Sequence, residues 1–329
     1  MRSIIADHWF LLALMLGVGV SLTWPDAMHP VTDMWEPRRT VAISLLLVAW
    51  TMPTQSLADE LRNPWAAIWA IVLSYGLLPL SALGLGLVAP SEDVQVGLIL
   101  VASVPCTLSS AILWTRLAGG NEATSLLAVA GTTFASWLLT TAWLYALTGA
   151  AIDFDVAAMM LDLFISLIAP VLIGQALRLS TASAEFAERH KVLLGVFSQG
   201  FILAIVLKAG VTVGDSLRRQ DAADASALFA WSVGLAISLH AIAIVISWYS
   251  ASLLGIDHGR RIAVAFSASQ KTLQIALVLY EEYFKSRYPF AVLPLLFYHV
   301  GQLVIDMFLA SYWRAQQATD PIHEGHEDH

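Results

Sequence analysis

The chain has 329 residues, of which 58% are hydrophobic and only 13% charged, with a formal net charge of −8. A soluble domain carries roughly 25% charged residues, and a water-soluble fold of this length needs a polar exterior that this composition does not supply. The acidic balance excludes the basic stripe of a nucleic-acid-binding protein, and the single Cys106 excludes a disulfide framework and a Cys-based zinc site.

Apolar segments bounded by proline, glycine and charge clusters recur at 8–23, 39–57, 64–89, 94–117, 121–148, 156–179, 191–213, 226–254, 260–280 and 288–314. Most approach or exceed the ~20 residues that a spanning helix needs. Each is expected to be helical, because lipid offers no partner to open backbone, and the ~10-residue alternating strands of a membrane barrel are absent. The first segment follows Arg2 in the manner of a secretory signal. Trp24-Pro25-Asp26 follows it instead of an Ala-x-Ala-like cleavage site, so it reads as a retained helix. The expected fold is therefore an all-α membrane protein of about ten transmembrane helices, five from residues 1–150 and five from 151–315. The tail, 316–329, reads as disordered; its His323, His326 and His329 lie among acids, a solvated segment rather than a metal site. With the N-terminus inside, Arg2, Arg62, Arg116, Arg178, Arg189, Lys191, Arg260, Arg261 and Arg314 fall in the cytoplasm. Arg38, Arg39, Arg218, Arg219, Lys285 and Arg287 fall opposite, a modest bias that puts both termini inside.

Two segments are broken. The fourth is interrupted at Val104-Pro105-Cys106-Thr107-Leu108-Ser109-Ser110, the ninth at Ser267-Ala268-Ser269-Gln270-Lys271-Thr272. Paired interruptions at corresponding places in two halves point to a transporter's midplane site. Pro105 removes a backbone donor and frees carbonyls, and the hydroxyls of Thr107, Ser109 and Ser110 extend the same polar surface. Taken alone, this would be a proline kink repaired by hydroxyls. Lys271 costs at least ~2.5–3.5 kcal/mol inside a span, so its ammonium either takes a cation position, pairs with an anionic substrate, or locks two helices together. Gln270 and Gln274 share a helix face and offer amide oxygens, with interhelical hydrogen bonding as the alternative. Thr272 closes the run.

His299, Gln302 and Asp306 fall at i, i+3 and i+7 of the last segment, on one face. They form either a proton-coupling group or a structural polar seam, and Lys271 is a candidate partner for Asp306. Asp162, Lys208 and His240 are further ionisable residues in spans, with Lys208 and Asp162 expected near helix ends. No nucleotide-binding loop, metalloprotease helix or nucleophile elbow occurs, so neither an enzyme nor an ATP-driven pump is indicated.

Several stretches resemble a known family. Pro105-Cys106-Thr107-Leu108-Ser109-Ser110 and Thr115-Arg116-Leu117-Ala118-Gly119-Gly120-Asn121 are similar to the fourth-helix region of bile acid:sodium symporter proteins. Ser267-Ala268-Ser269-Gln270-Lys271-Thr272 and Leu293-Pro294-Leu295-Leu296-Phe297-Tyr298-His299 resemble the sodium/bile acid cotransporter 7-like branch. The resemblance implies two inverted five-helix repeats, a panel and a core domain, and broken helices four and nine crossing in the core. It also implies organic-anion substrates such as bile-acid-like carboxylates or sulfonates, carried with sodium. Of the family's sodium ligands, the resemblance matches Gln270 and Ser125 and places a Ser-Asn pair near Ser109 and Ser110. Phe266 stands where the family has a Glu, Val129 where it has a Thr, and Ser74 where it has a Gln. Lys271 adds a positive charge beside the same crossing, which disfavours sodium there.

The resulting expectation is a secondary active transporter of small organic anions working by alternating access. Na⁺ or H⁺ is the coupling ion, no cofactor or nucleic acid is involved, and lipid is the surrounding partner. A non-transporting membrane regulator that keeps the fold is the alternative. Nothing in the sequence speaks to oligomeric state.

Overall fold

The computed structural model describes residues 2–53, 60–148, 155–218 and 221–319, and among them every regular element is a helix. In chain order they are α1 (Arg2–Thr23), α2 (Pro25–Thr32), α3 (Pro37–Thr51), α4 (Trp65–Gly86), α5 (Glu92–Ser103), α6 (Ser110–Leu117) and α7 (Glu122–Thr148). There follow α8 (Val156–Leu177), α9 (Thr181–Arg189), α10 (Lys191–Leu217), α11 (Ala222–Leu253), α12 (His258–Ser269), α13 (Leu273–Leu279, continued as a π turn over Tyr280–Phe284) and α14 (Val292–Thr319). Arg219 and the His-bearing tail from residue 320 lie outside the described residues.

Seven described segments are long and apolar enough to cross a bilayer: α4, α7, α8, α10, α11, the α12–α13 pair and α14. The other three expected spans are shorter. The apolar stretch of α1 is Leu12–Thr23, α3 has 15 residues, and the fourth segment is split into pieces of 12 and 8. Large apolar side chains such as Leu16, Ile165, Val245 and Phe308 are exposed, as helices facing hydrocarbon require. The chain is an integral, multi-pass membrane protein.

Two boundaries differ from the sequence reading for local reasons. The second segment ends at Thr51, six residues early, where Pro53 disfavours helix at the residue before it. Between the first two spans the chain forms a separate helix, α2, because Pro25 at its first position is pre-set for helical φ. Arg218 at the end of α10 reaches back to Asp26 of α2 at 2.5 Å and holds that carboxyl below its usual range.

The helices pack in two groups. In the first, α3 lies between α8 and α10, and α10 also packs on α1. Gly210 and Gly214, four residues apart, let α10 approach α1 closely: a Cβ on Gly214 would lie 2.8 Å from the Leu22 carbonyl oxygen. In the second group, α12 is the central element, buried from Ile262 to Ser269 and touching α4, α6, α7 and α11.

Midway along its length α4 departs from regular helix. Over Leu73–Leu77 it widens to a π turn, and the Leu78 amide bonds the Leu73 carbonyl. The next residue, Pro79, has no N–H to give. The carbonyls of Ser74 and Tyr75 therefore lose their intrahelical donors. Tyr75 O takes the indole N–H of Trp143 at 2.6 Å, and Ser74 O is left for a partner from elsewhere.

Candidate functional site

Both broken segments are broken in the structure, and the breaks meet. α5 stops at Ser103 because Pro105 drives Val104 into extended backbone (φ −79°, ψ 161°). The chain resumes as α6 at Ser110. The second break is narrower than the sequence suggested. Ser267, Ala268 and Ser269 stay helical in α12, and only Gln270, Lys271 and Thr272 leave the helix. The Thr272 amide donates to the Pro105 carbonyl at 3.0 Å, tying one break to the other.

The second break contains neither proline nor glycine, so its free backbone groups are met by side chains of α14. Gln302 Oε1 accepts the Lys271 N–H at 3.0 Å, and its Nε2 donates to the Lys271 carbonyl at 3.1 Å. Tyr298 donates its hydroxyl to the Ser269 carbonyl at 2.5 Å. A buried backbone amide left unpaired is costly, and here each is answered.

Lys271 is 1% exposed, and its ammonium meets three oxygens: Ser74 O at 2.8 Å, Ser74 Oγ at 2.9 Å and Val104 O at 2.9 Å. The Tyr75 ring centroid lies 5.1 Å away. Both carbonyls are those released by the irregularities of α4 and α5. The sequence suggested Asp306 as a partner for Lys271; the structure pairs them with other groups. Asp306 is wholly buried, 2.9 Å from His240 Nε2 and 2.5 Å from the Gln270 amide nitrogen that donates to it. Gln270 Oε1 in turn accepts from Thr107 Oγ1 at 2.5 Å and lies 2.7 Å from Ser110 Oγ. Ser125 lies apart from this cluster, its Oγ 2.9 Å from that of Ser267. Lys208 bonds the Trp35 carbonyl at 2.8 Å, and Asp162 joins Arg38 and Glu282 in an ion-pair cluster.

A cavity of about 470 Å³ lies between the two helix groups, beside both breaks. Thr107, Ser109, Ser110, Thr272, Gln274 and His299 supply polar groups from one side, and Leu45, Val48 and Gln199 face them from α3 and α10. Lys271 does not line it: its ammonium points toward α4. His299 does, and its Nε2 has no hydrogen-bond partner in the protein. Its protonation is fixed by its neighbour. The two backbone bonds of Gln302 set which end of that amide is NH₂, and this NH₂ lies 3.0 Å from His299 Nδ1. Nδ1 must therefore accept, so a neutral imidazole carries its proton on Nε2, a buried N–H with no partner in the wall of the cavity. The first turns of α6 and α13 begin at the same wall, where amides lack intrahelical acceptors and the helix dipole is positive.

The cavity continues into a second space of about 300 Å³ bordered by Met52, Pro53, Arg116 and Lys191. At the opposite end, polar contacts join the helix groups. Arg38 of α3 lies 2.8 Å from Asp162 of α8 and 2.8 Å from Glu282 of the α13 π turn. Tyr283 donates a short bond to Asp162. Deeper in, Gln274 Nε2 donates to Ser44 Oγ at 2.7 Å, and Ser44 meets Ser198 Oγ at 2.7 Å. Sequence reasoning missed Ser44, Gln199 and the Arg38 cluster; each is a polar residue in or beside an apolar span, the one signal that was available. Among the described residues no group of three His, Cys, Asp or Glu side chains is placed to hold a metal ion.

Comparison with known proteins places nearly the whole chain in a family. The model of the SBF-like CPA transporter family (DUF4137) matches residues 8–315. The chain is 24% identical over 325 residues to the probable sodium/metabolite cotransporter BASS4, chloroplastic, of Arabidopsis thaliana, covering 94% of this chain and 73% of that one. It is 22% identical over 321 residues to sodium/bile acid cotransporter 7 of Danio rerio, covering 93% of each. It is also 24% identical over 266 residues to the uncharacterized sodium-dependent transporter YocS of Bacillus subtilis, covering 80% of this chain and 78% of that one. These matches agree with the resemblance carried by T-R-L-A-G-G-N and S-x-S-Q-K-T.

Proposed function

Because the chain belongs to the SBF-like CPA transporter family, we propose that it carries small organic anions, bile-acid-like carboxylates or sulfonates, across a membrane by cation-coupled alternating access. The cavity carries this reading. It sits between two helix groups, its walls are largely apolar, and at the breaks it is lined by His299 and by Ser109 and Thr272, whose hydroxyls are not spent on Gln270, beside the first turn of α6. An amphipathic anion would lay its hydrocarbon against Leu45, Val48 and Ile202 and turn its charge to that polar wall.

The architecture we propose is ten passes in two inverted five-helix repeats, 1–150 and 151–315, with α5–α6 as pass four and α12–α13 as pass nine. Exchange-related packing supports it. α1 on α10 is matched by α8 on α3, and α7 on α12 by α14 on α5, as expected if passes one and six, two and seven, four and nine, and five and ten correspond. The group α1, α3, α8, α10 is then the panel and the remainder the core. Arg116 and Lys191 lie on the cytoplasmic side in the orientation with both termini inside. The cavity therefore opens inward, and the Arg38 cluster closes the outer side. The coupling ion is Na⁺ or H⁺. The names of the relatives favour the first, and the buried His240–Asp306 pair offers a proton site for the second.

The test is uptake into proteoliposomes of radiolabelled taurocholate, an aromatic sulfonate and a short α-keto acid, under imposed Na⁺ or H⁺ gradients. Gradient-driven accumulation of at least one probe is expected, falling about tenfold or more in His299→Leu without loss of folded protein. No accumulation of any probe under either gradient overturns the reading.

A further inference from the structure

The Lys271 ammonium sits in a site with the form of a monovalent-cation site. Its oxygens are two main-chain carbonyls and a hydroxyl, all neutral, converging at 2.8–2.9 Å from two different elements of the fold. An ammonium has three N–H donors, and three acceptors are supplied, with the Tyr75 π-face alongside. Both carbonyls exist as free acceptors only because the backbone is irregular there, at the π turn before Pro79 and at the end of α5 before Pro105. Among the described residues no carboxylate lies within ion-pair distance of Lys271, so the group is not one half of a salt bridge. A lock between two helices needs neither three converging oxygens nor two local departures from helix.

We propose that Lys271 is a tethered cation: its ammonium occupies the place at the crossing of the broken helices that a free Na⁺ would need. Na⁺ therefore does not bind there in this chain. The neighbouring oxygens are also spent. Gln270 Oε1 faces two hydroxyls, and the Gln270 amide nitrogen is committed to Asp306. Phe266, one turn before Gln270, packs edge-on against Trp313 with ring centroids 5.2 Å apart, where it offers no ligand. A second cation brought to the same oxygens would meet the ammonium within a few ångströms, in surroundings that screen poorly. The inference deepens the transport reading and rests on it for its meaning, but its test needs no substrate, so failure of either leaves the other standing.

The test uses the full chain in detergent. Melting temperature is measured in choline chloride, NaCl and NH₄Cl, and saturable ²²Na⁺ binding is measured in parallel, for wild type, Lys271→Ala and Lys271→Met. Wild type is expected to melt at the same temperature in NaCl and choline and to bind no Na⁺ at the crossing. Lys271→Ala vacates the site: it should lose several degrees in choline, recover part of that loss in NH₄Cl or NaCl, and gain saturable Na⁺ binding. Lys271→Met fills the space with hydrocarbon and should stay low in every salt. A folded Lys271→Ala that binds no more Na⁺ than wild type overturns the proposal. So does a folded Lys271→Ala that no monovalent cation restores, which would make the ammonium a structural tie. Should Lys271→Ala fold in no salt, Lys271→Ser is measured in its place: a gain in Na⁺ binding over wild type supports the proposal, and no gain overturns it.

Discussion

The two breaks that meet at the centre of the molecule are made in opposite ways. The first is written into its own residues: Pro105 forces Val104 out of helix, and Thr107 accepts the Ala111 amide at 3.3 Å to start the next one. The second has no helix breaker. Gln270, Lys271 and Thr272 leave the helix only because groups distant in sequence take over their backbone: Gln302 and Tyr298 from α14, and the Pro105 carbonyl from the first break. One break would form in isolation, whereas the other exists only in the assembled core. The crossing, and the Lys271 site within it, therefore depends on the packing of α14.

The comparison breaks most sharply at Gln302. Replacing it by Leu leaves both the N–H and the C=O of Lys271 buried without partners, at roughly 1–3 kcal/mol each, for a loss of about 2–6 kcal/mol. It also frees His299 Nδ1 from its donor. The expected result is a large fall in melting temperature in detergent, together with rapid maleimide labelling of Cys106, which is 1% exposed and lies in the facing break. A variant that melts like wild type and keeps Cys106 protected would mean that the second break holds itself.

This asymmetry also explains what the sequence disclosed. The first break was legible because proline acts on its immediate neighbours, and the polar run from Ser267 to Thr272 marked the second as unusual. Its limits were not legible, since they depend on Gln302 and Tyr298, about thirty residues away. The i, i+3, i+7 seam of His299, Gln302 and Asp306 was visible as one face. What lay opposite it was not: Gln302 faces backbone, Asp306 faces His240 and Gln270, and His299 lines the cavity. The acceptors of Lys271 were hidden further. Ser74 offers its carbonyl only because α4 widens just before Pro79, and a π turn leaves no periodicity to read.

A milder cut at the same place is Tyr298→Phe. It removes one hydroxyl and leaves the Ser269 carbonyl without its donor, while the buried ring stays in place. The cost should be about 1–3 kcal/mol, visible as a smaller fall in melting temperature than Gln302→Leu gives. Cys106 labelling should stay slow, because the bonds that Gln302 makes to Lys271 survive. A loss as large as that of Gln302→Leu would show that the Ser269 end carries the break.

The smallest effect is expected at the residue that looks most decisive in the sequence. Pro105→Ala restores freedom to the unfolded chain and should cost about 1 kcal/mol or less. The extended backbone should persist, because the contacts holding it do not require the ring. The residue-105 carbonyl still accepts from Thr272, the Val104 carbonyl still meets Lys271, and the Cys106 amide still reaches Thr132 Oγ1 at 3.4 Å. Proline then specifies where the first break forms, and the Lys271 ammonium and Thr272 amide keep it open once the crossing is assembled. Rapid labelling of Cys106 in Pro105→Ala would reverse that order and make the ring itself the support of the site.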